Sequence, residues 1–269
     1  MQKPFLEFKF KKALGQNFIF DTNFLKSIVS DAGVDSSTSV LEIGTGAATL
    51  TKMLGESAKH VVSYEIDENL RSTIENNLSG LNNVEVCFKD VMKADIKEIE
   101  SKFDGNYIMV ANLPYYITTP ILFKFLEEAT RLERLVIMVQ LEVANRICAK
   151  PGTEDYGTIT PSIDYRGDAK IIRRVSRKMF TPVPNVDSAI VRIDLKENKY
   201  KIEDEKLLNQ VIRAAFSMRR KTLVNNLKAI GFNQEKIEFA FKQIGLDLRV
   251  RGESLSTAQF VELSNWLGK

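Results

Sequence analysis

The stretch Asn112-Leu113-Pro114-Tyr115-Tyr116 carries the residue types that could activate an amine attached to an aromatic ring. Such an amine is a poor nucleophile because its lone pair is delocalised into the ring. The Asn112 side-chain oxygen and the Leu113 carbonyl can accept its two N–H bonds. That holds the nitrogen near tetrahedral geometry and aims its lone pair at an electrophile. Positive charge grows on the nitrogen as it attacks, so preorganised oxygens stabilise the transition state. Pro114 fixes the turn that exposes the Leu113 carbonyl, and Tyr115 can stack on the base.

Three more positions could bind an adenosine-containing ligand. Val40-Leu41-Glu42-Ile43 runs into Gly44-Thr45-Gly46, a pairing that allows a tight turn and close approach of a ligand to the backbone. A dinucleotide fingerprint would place a third glycine at position 49, where this chain has Thr49; that argues against an NAD oxidoreductase. Glu65 follows Gly46 by 19 residues at the end of the next expected strand. There it can accept both ribose hydroxyls, while Asp67 is expected to cap the following helix. Asp90 ends a third strand, where its carboxylate can accept an adenine amino group and the Val91 N–H can donate to the ring. A plain turn or cap is the alternative for both the glycines and Asp90.

These residues need strands to hold them. The sequence predicts strands over 39–43, 60–66, 84–88, 107–111 and 135–139, with helices over 47–57, 67–79 and 118–129 between them. Such alternation implies βαβ units and a mostly parallel sheet, whose carboxyl ends are where open α/β sheets bind ligands. Strands over 169–175 and 188–193 follow each other closely enough for an antiparallel pair at a sheet edge. Beyond a polar linker at 196–201 the apolar spacing becomes helical, with helices at about 203–216, 219–229, 234–244 and 256–267. The expected organisation is an α/β domain over 1–195 and a small all-helical domain over 196–269.

Composition narrows the class. No apolar run approaches 18 residues, and Met1 to Glu7 lacks the apolar core of a signal peptide, so a cytoplasmic protein without a membrane span is expected. Cys87 and Cys148 lie far apart, and with His60 as the single histidine a His/Cys metal site or a histidine triad is not expected. The net charge of +3 hides an asymmetry. Residues 1–12, 166–178 and 206–234 carry +3, +5 and +6, leaving −11 on the other 215 residues. Concentrated positive charge on an acidic chain suits a polyanion partner, or simply solvated faces.

With these motifs in hand, the chain resembles the ribosomal RNA adenine dimethyltransferase family, in the branch that acts on small-subunit rRNA. The matching stretches are Leu14-Gly15-Gln16-Asn17-Phe18-Ile19, Glu42-Ile43-Gly44-Thr45-Gly46, Glu65-Ile66-Asp67, Asp90-Val91 and Asn112-Leu113-Pro114-Tyr115-Tyr116-Ile117-Thr118-Thr119-Pro120. They continue with Phe180-Thr181-Pro182-Val183-Pro184-Asn185-Val186-Asp187-Ser188-Ala189 and Phe216-Ser217-Met218-Arg219-Arg220-Lys221-Thr222-Leu223. Thr45 stands where the family often has proline, and Ile19 where it often has leucine.

The resemblance implies a Rossmann-like methyltransferase domain and S-adenosylmethionine as donor, held by Asn17, Ile19, Gly44, Gly46, Glu65, Asp90, Val91 and Asn112, with no metal. It implies dimethylation of two adjacent adenosines near the 3′ end of 16S rRNA by a monomer acting on a pre-ribosomal 30S particle. It brings Phe180 against the target base opposite Tyr115, although Phe180 also reads as a core residue. Arg219, Arg220 and Lys221, expected to begin a helix, would hold rRNA phosphates. The rivals are a large-subunit methyltransferase of the macrolide-resistance type and a non-enzymatic assembly factor. Thr118-Thr119-Pro120 and Arg219-Arg220-Lys221-Thr222-Leu223 favour the small-subunit branch over the first, and the intact Asn112-Leu113-Pro114-Tyr115 argues against the second.

Overall fold

The computed structural model describes residues 17–197 and 199–269. The basic run 1–12 and Leu14-Gly15-Gln16 lie outside the described residues. A short strand β1 (Phe18–Ile19) leads into α1 (Thr22–Ala32). Helix α1 begins at Asp21, whose carboxylate accepts from Phe24 N at 2.9 Å, and ends at Gly33 in the left-handed conformation (φ 69°). Leu25, Ile28, Val29 and Ala32 give it one buried face, the spacing of an amphipathic helix.

Then strands and helices alternate: β2 (Ser39–Ile43), α2 (Thr49–Gly55), β3 (His60–Glu65), α3 (Arg71–Asn77), β4 (Val84–Phe88), α4 (Ile96–Glu100), β5 (Tyr107–Asn112), α5 (Thr118–Glu128) and β6 (Leu132–Gln140). After α6 (Leu141–Ile147) and α7 (Ile159–Asp164) come β7 (Gly167–Val175), β8 (Phe180–Thr181) and β9 (Ser188–Leu195). Four helices follow, α8 (Glu205–Ser217), α9 (Leu223–Ala229), α10 (Gln234–Ile244) and α11 (Thr257–Gly268).

Seven strands form one sheet in the order β4-β3-β2-β5-β6-β9-β7, and β2, β3, β4, β5 and β6 pair in parallel. The fold is therefore Rossmann-like, with a helical region at the C-terminus. Strands β2, β3 and β5 are buried along nearly their whole length, which is why they read as continuous apolar runs rather than alternating ones. The strand order reverses direction between β2 and β5, the switch point where such sheets bind ligands. Strand β9 starts beside the end of β6, because Leu141 N donates to Asp187 O at 3.0 Å. The loop before β9 thus reaches the same carboxyl edge.

The chain forms two compact units, 1–141 with 171–192, and 142–170 with 193–269. This differs from a single break at 195, and the reason is local. In the second unit Tyr156 and Tyr165 belong to the helical core with Leu208, Val211 and Phe260. The Tyr156 hydroxyl donates to Leu255 O at 2.7 Å and the Tyr165 hydroxyl to Glu205 at 2.9 Å. These partners lie 99 and 40 residues away, beyond the reach of any periodic signal. The first unit has its own core, in which α1 and α2 cover β2, β3, β5 and β6 through Leu25, Ile28, Val40, Leu54, Val61, Ile108 and Val136.

Candidate active site

The carboxyl ends of β2, β3, β4 and β5 line one cleft, which holds about 1070 Å3 of empty space including its open mouth. After β2, Gly44 and Gly46 turn the chain with φ of 84° and 57°, a region that disfavours side chains. A Cβ on Gly46 would also come within 2.7 Å of the Phe18 ring. Glu65 closes β3 and is buried. Its Oε2 accepts from Gly46 N at 2.8 Å, and its Oε1 from Ile66 N at 2.9 Å and Asp67 N at 2.8 Å. Burial pushes its pKa up, against the pull of those N–H donors. Asp67 caps the turn Glu68–Leu70, as expected. Asp90 follows β4, and its Oδ1 caps the turn Val91–Lys93 by accepting from Met92 N at 3.0 Å.

Asn112 is the last residue of β5. Its Nδ2 donates to the Asn17 carbonyl at 3.0 Å. That bond decides the amide's orientation, since a flipped amide would set oxygen against oxygen. The turn beyond it is braced: Leu113 N donates to Met138 O, and the Pro114 carbonyl accepts from Ile117 N and the Thr118 hydroxyl. Among the described residues nothing donates to the Leu113 carbonyl, which leaves it free to accept. The half-buried Tyr115 lines the cleft, and burial raises the pKa of its phenol. Tyr116 beside it is exposed.

The cleft thus gathers Asn17, Ile19, Gly44, Gly46, Glu65, Asp90, Val91, Asn112, Leu113, Pro114 and Tyr115. Phe180 is not among its lining residues. It pairs with Ile19 across the β1–β8 ladder and is 1% exposed within the core of Ile19, Val29 and Ile190. Its place here agrees with the alternative reading of Phe180 as a core residue rather than with stacking on a base.

Glu42, which opens a stretch that matches the family but carries no expected site role, lines the cleft with 1% exposure. Its Oε2 accepts from the Thr51 and Ser63 hydroxyls at 2.6 Å each. Burial pushes its pKa up to about 8, so it is neutral at pH 7. An acid amid a strand's apolar run was the available signal.

In the second unit, Arg219, Arg220 and Lys221 occupy the turn between α8 and α9 rather than the start of a helix. Thr222 is the N-cap of α9, accepting from Asn225 N. Arg219 is also less free than its acid-free stretch suggested: its Nε lies 3.6 Å from Glu253 and its Nη2 donates to Glu154 O at 3.3 Å. Among the described residues no group of three or more His, Cys, Asp or Glu could hold a metal ion, and no helix is long and apolar enough to cross a membrane.

Residues 7–269 match the family described as ribosomal RNA adenine dimethylase. The chain belongs to that family. It is 45% identical over 268 residues to ribosomal RNA small subunit methyltransferase A of Geobacillus thermodenitrificans, covering 97% of this chain and 92% of the relative. Among solved structures, a family likeness extends to a dimethyladenosine transferase from Plasmodium falciparum, with TM-score 0.77 and 26% identity over 91% of this chain and 95% of that one. The 23S rRNA methyltransferase ErmE matches with TM-score 0.68 and 26% identity over 94% of this chain and 100% of that one. Family membership makes the chain a methyltransferase.

Proposed function

We propose that this chain dimethylates the N6 amine of two adjacent adenosines near the 3′ end of small-subunit (16S) rRNA, with S-adenosylmethionine as donor, in ribosome biogenesis. Its likeness to a small-subunit methyltransferase supports the choice of rRNA. One observation carries the chemistry. The Nδ2–Asn17 bond leaves the Asn112 oxygen as the free end of the amide, at a strand end beside the glycine turn and Glu65.

The cleft's acceptors suit an adenosine-containing donor. Glu65 spends three of its roughly four lone-pair sites on backbone N–H groups, leaving Oε2 able to accept from a ribose hydroxyl. Asp90 uses one oxygen in its cap and keeps the other for an adenine amine, with the Val91 N–H to donate to the ring. Ile66, half exposed next to Glu65, adds apolar surface. When bound, S-adenosylmethionine would supply a methyl group on a positively charged sulfur, and the methyl–sulfur bond would break as nitrogen takes the methyl, releasing the donor as a neutral thioether. Asn112 Oδ1 and the Leu113 carbonyl accept the N–H bonds of the target amine, while Tyr115 presents its ring to the base. Those oxygens stabilise the charge that grows on nitrogen, and its proton leaves to them or to water. Catalysis is then positioning and electrostatics, without a covalent intermediate.

Arg220, Lys221 and part of Arg219 are suited to rRNA phosphates. We read the working form as a cytoplasmic monomer on a pre-ribosomal 30S particle. The test is to incubate separate small- and large-subunit particles with donor and analyse the nucleosides by mass spectrometry. Dimethyladenosine should appear in 16S rRNA, and Asn112→Ala should lose transfer while keeping particle binding. Methylation of the large subunit instead would favour the macrolide-resistance type of reaction, and none at all an assembly factor.

A further inference from the structure

We propose that Ser188 is a positioning residue for methyl transfer, holding the Tyr115 ring in place through its hydroxyl. This rests on the reading that Tyr115 faces the target base. The two hydroxyl oxygens lie 2.7 Å apart, across 73 residues of sequence. Ser188 is fully buried at the start of β9, followed by the buried Ala189 and Ile190. The residue before it is anchored twice: Asp187 Oδ1 accepts from Arg177 N at 2.9 Å, and Asp187 O from Leu141 N at 3.0 Å. Ser188 is therefore a fixed point on the sheet.

Tyr115 is held at both ends. Its backbone sits in the braced turn after β5, and its phenol oxygen is tied to Ser188. Stacking alone would need only a ring, and phenylalanine would supply one. The hydroxyl adds a tether that holds the side chain in one of the staggered wells about Cα–Cβ, and so fixes where the ring stands in the cleft. It also links the cleft turn to the segment that carries Phe180–Thr181: that segment pairs with Phe18–Ile19 at one end and reaches Tyr115 through Ser188 at the other. A platform fixed before the base arrives spares the cost of ordering it during the reaction.

The test uses the full chain with small-subunit particles, in four forms: wild type, Ser188→Ala, Tyr115→Phe and the double variant. Single-turnover transfer and donor affinity are measured for each. The expected result is a tenfold to hundredfold loss of transfer rate in each single variant, with donor affinity within twofold of wild type. The double variant should be no slower than the slower single, because both changes remove one bond. A Ser188→Ala rate equal to wild type, or losses that multiply in the double variant, would overturn the proposal. If Ser188→Ala does not fold, Tyr115→Phe decides: it removes the same bond without touching β9, and a wild-type rate would refute the tether. A wild type with no transfer at all would instead refute the enzymatic reading.

Discussion

Replacing Glu42 with glutamine should make the protein's stability less dependent on pH. In the fold, burial pushes the Glu42 pKa up to about 8 from an ordinary value of 4.5. Between those values the folded chain holds a proton at Glu42 that the unfolded chain has released. Stability falls wherever the native state binds more protons than the unfolded one as pH rises. The contribution is therefore complete below about pH 4.5, shrinks through pH 8 and is gone above it. One pH unit in this window is worth about 1.4 kcal/mol. Allowing for the rounding of the titration near its midpoint, the wild type should lose about 2 kcal/mol from this one group between pH 6 and pH 8.

Glutamine is close in shape to the protonated acid. Its carbonyl oxygen can accept from the Thr51 and Ser63 hydroxyls, and it does not titrate. The unit containing Glu42 has 163 residues, a size at which 1 kcal/mol shifts a melting temperature by roughly 2–4 °C. Melting curves of both proteins, followed by circular dichroism from pH 5.5 to 8.5, supply the comparison. Other titrating groups are common to both, so the difference between the curves reports Glu42 together with its coulombic coupling to Glu65. The wild type should fall by roughly 4–8 °C relative to Glu42→Gln between pH 6 and 8. Parallel curves would mean that Glu42 is charged in the folded state, and the argument from burial would fail.

Glu65→Ala should weaken S-adenosylmethionine binding by roughly 1–3 kcal/mol through lost hydrogen bonds; isothermal titration of a folded variant with unchanged affinity would remove Glu65 from the site. Phe180→Ala should cost about 3–5 kcal/mol in urea unfolding, the usual loss for a buried aromatic, and a cost below ~1 kcal/mol would show that the ring is not packed in the core. Replacing Arg219, Arg220 and Lys221 with glutamine should lower the salt dependence of particle binding by about 2 log–log units, short of 3 because Arg219 already engages Glu253 and Glu154; equal slopes would shift the RNA surface elsewhere.

Much of the site was legible because its residues stand where strands end. Strands β2, β3, β5 and β6 carry buried apolar runs and β4 is a short partly buried strand, so their ends could be counted, and with them Gly44, Glu65, Asp90 and Asn112. Strands β1 and β8 are two residues each, too short to carry a period. Asn17, just before β1, nonetheless accepts from Asn112, and Phe180, paired with Ile19, lies in the core. Helix α1 carries its own boundary signals, Asp21 at its start and Gly33 at its end.

The missing information has a common physical source. Asn112 is oriented by a carbonyl 95 residues away, Tyr115 is tethered 73 residues away, and Ser63 meets Glu42 from 21 residues away. Spacing along the chain identifies which groups reach the carboxyl edge of the sheet. It does not identify which of their atoms are already occupied there. For this site that second question decides the chemistry. Without the bond from Nδ2 to the Asn17 carbonyl, the same Asn112 amide could present either its NH2 or its oxygen to the cleft. The sequence therefore shows the reacting groups, while the direction in which Asn112 acts is set by the Asn17 carbonyl, a contact that spacing along the chain does not signal.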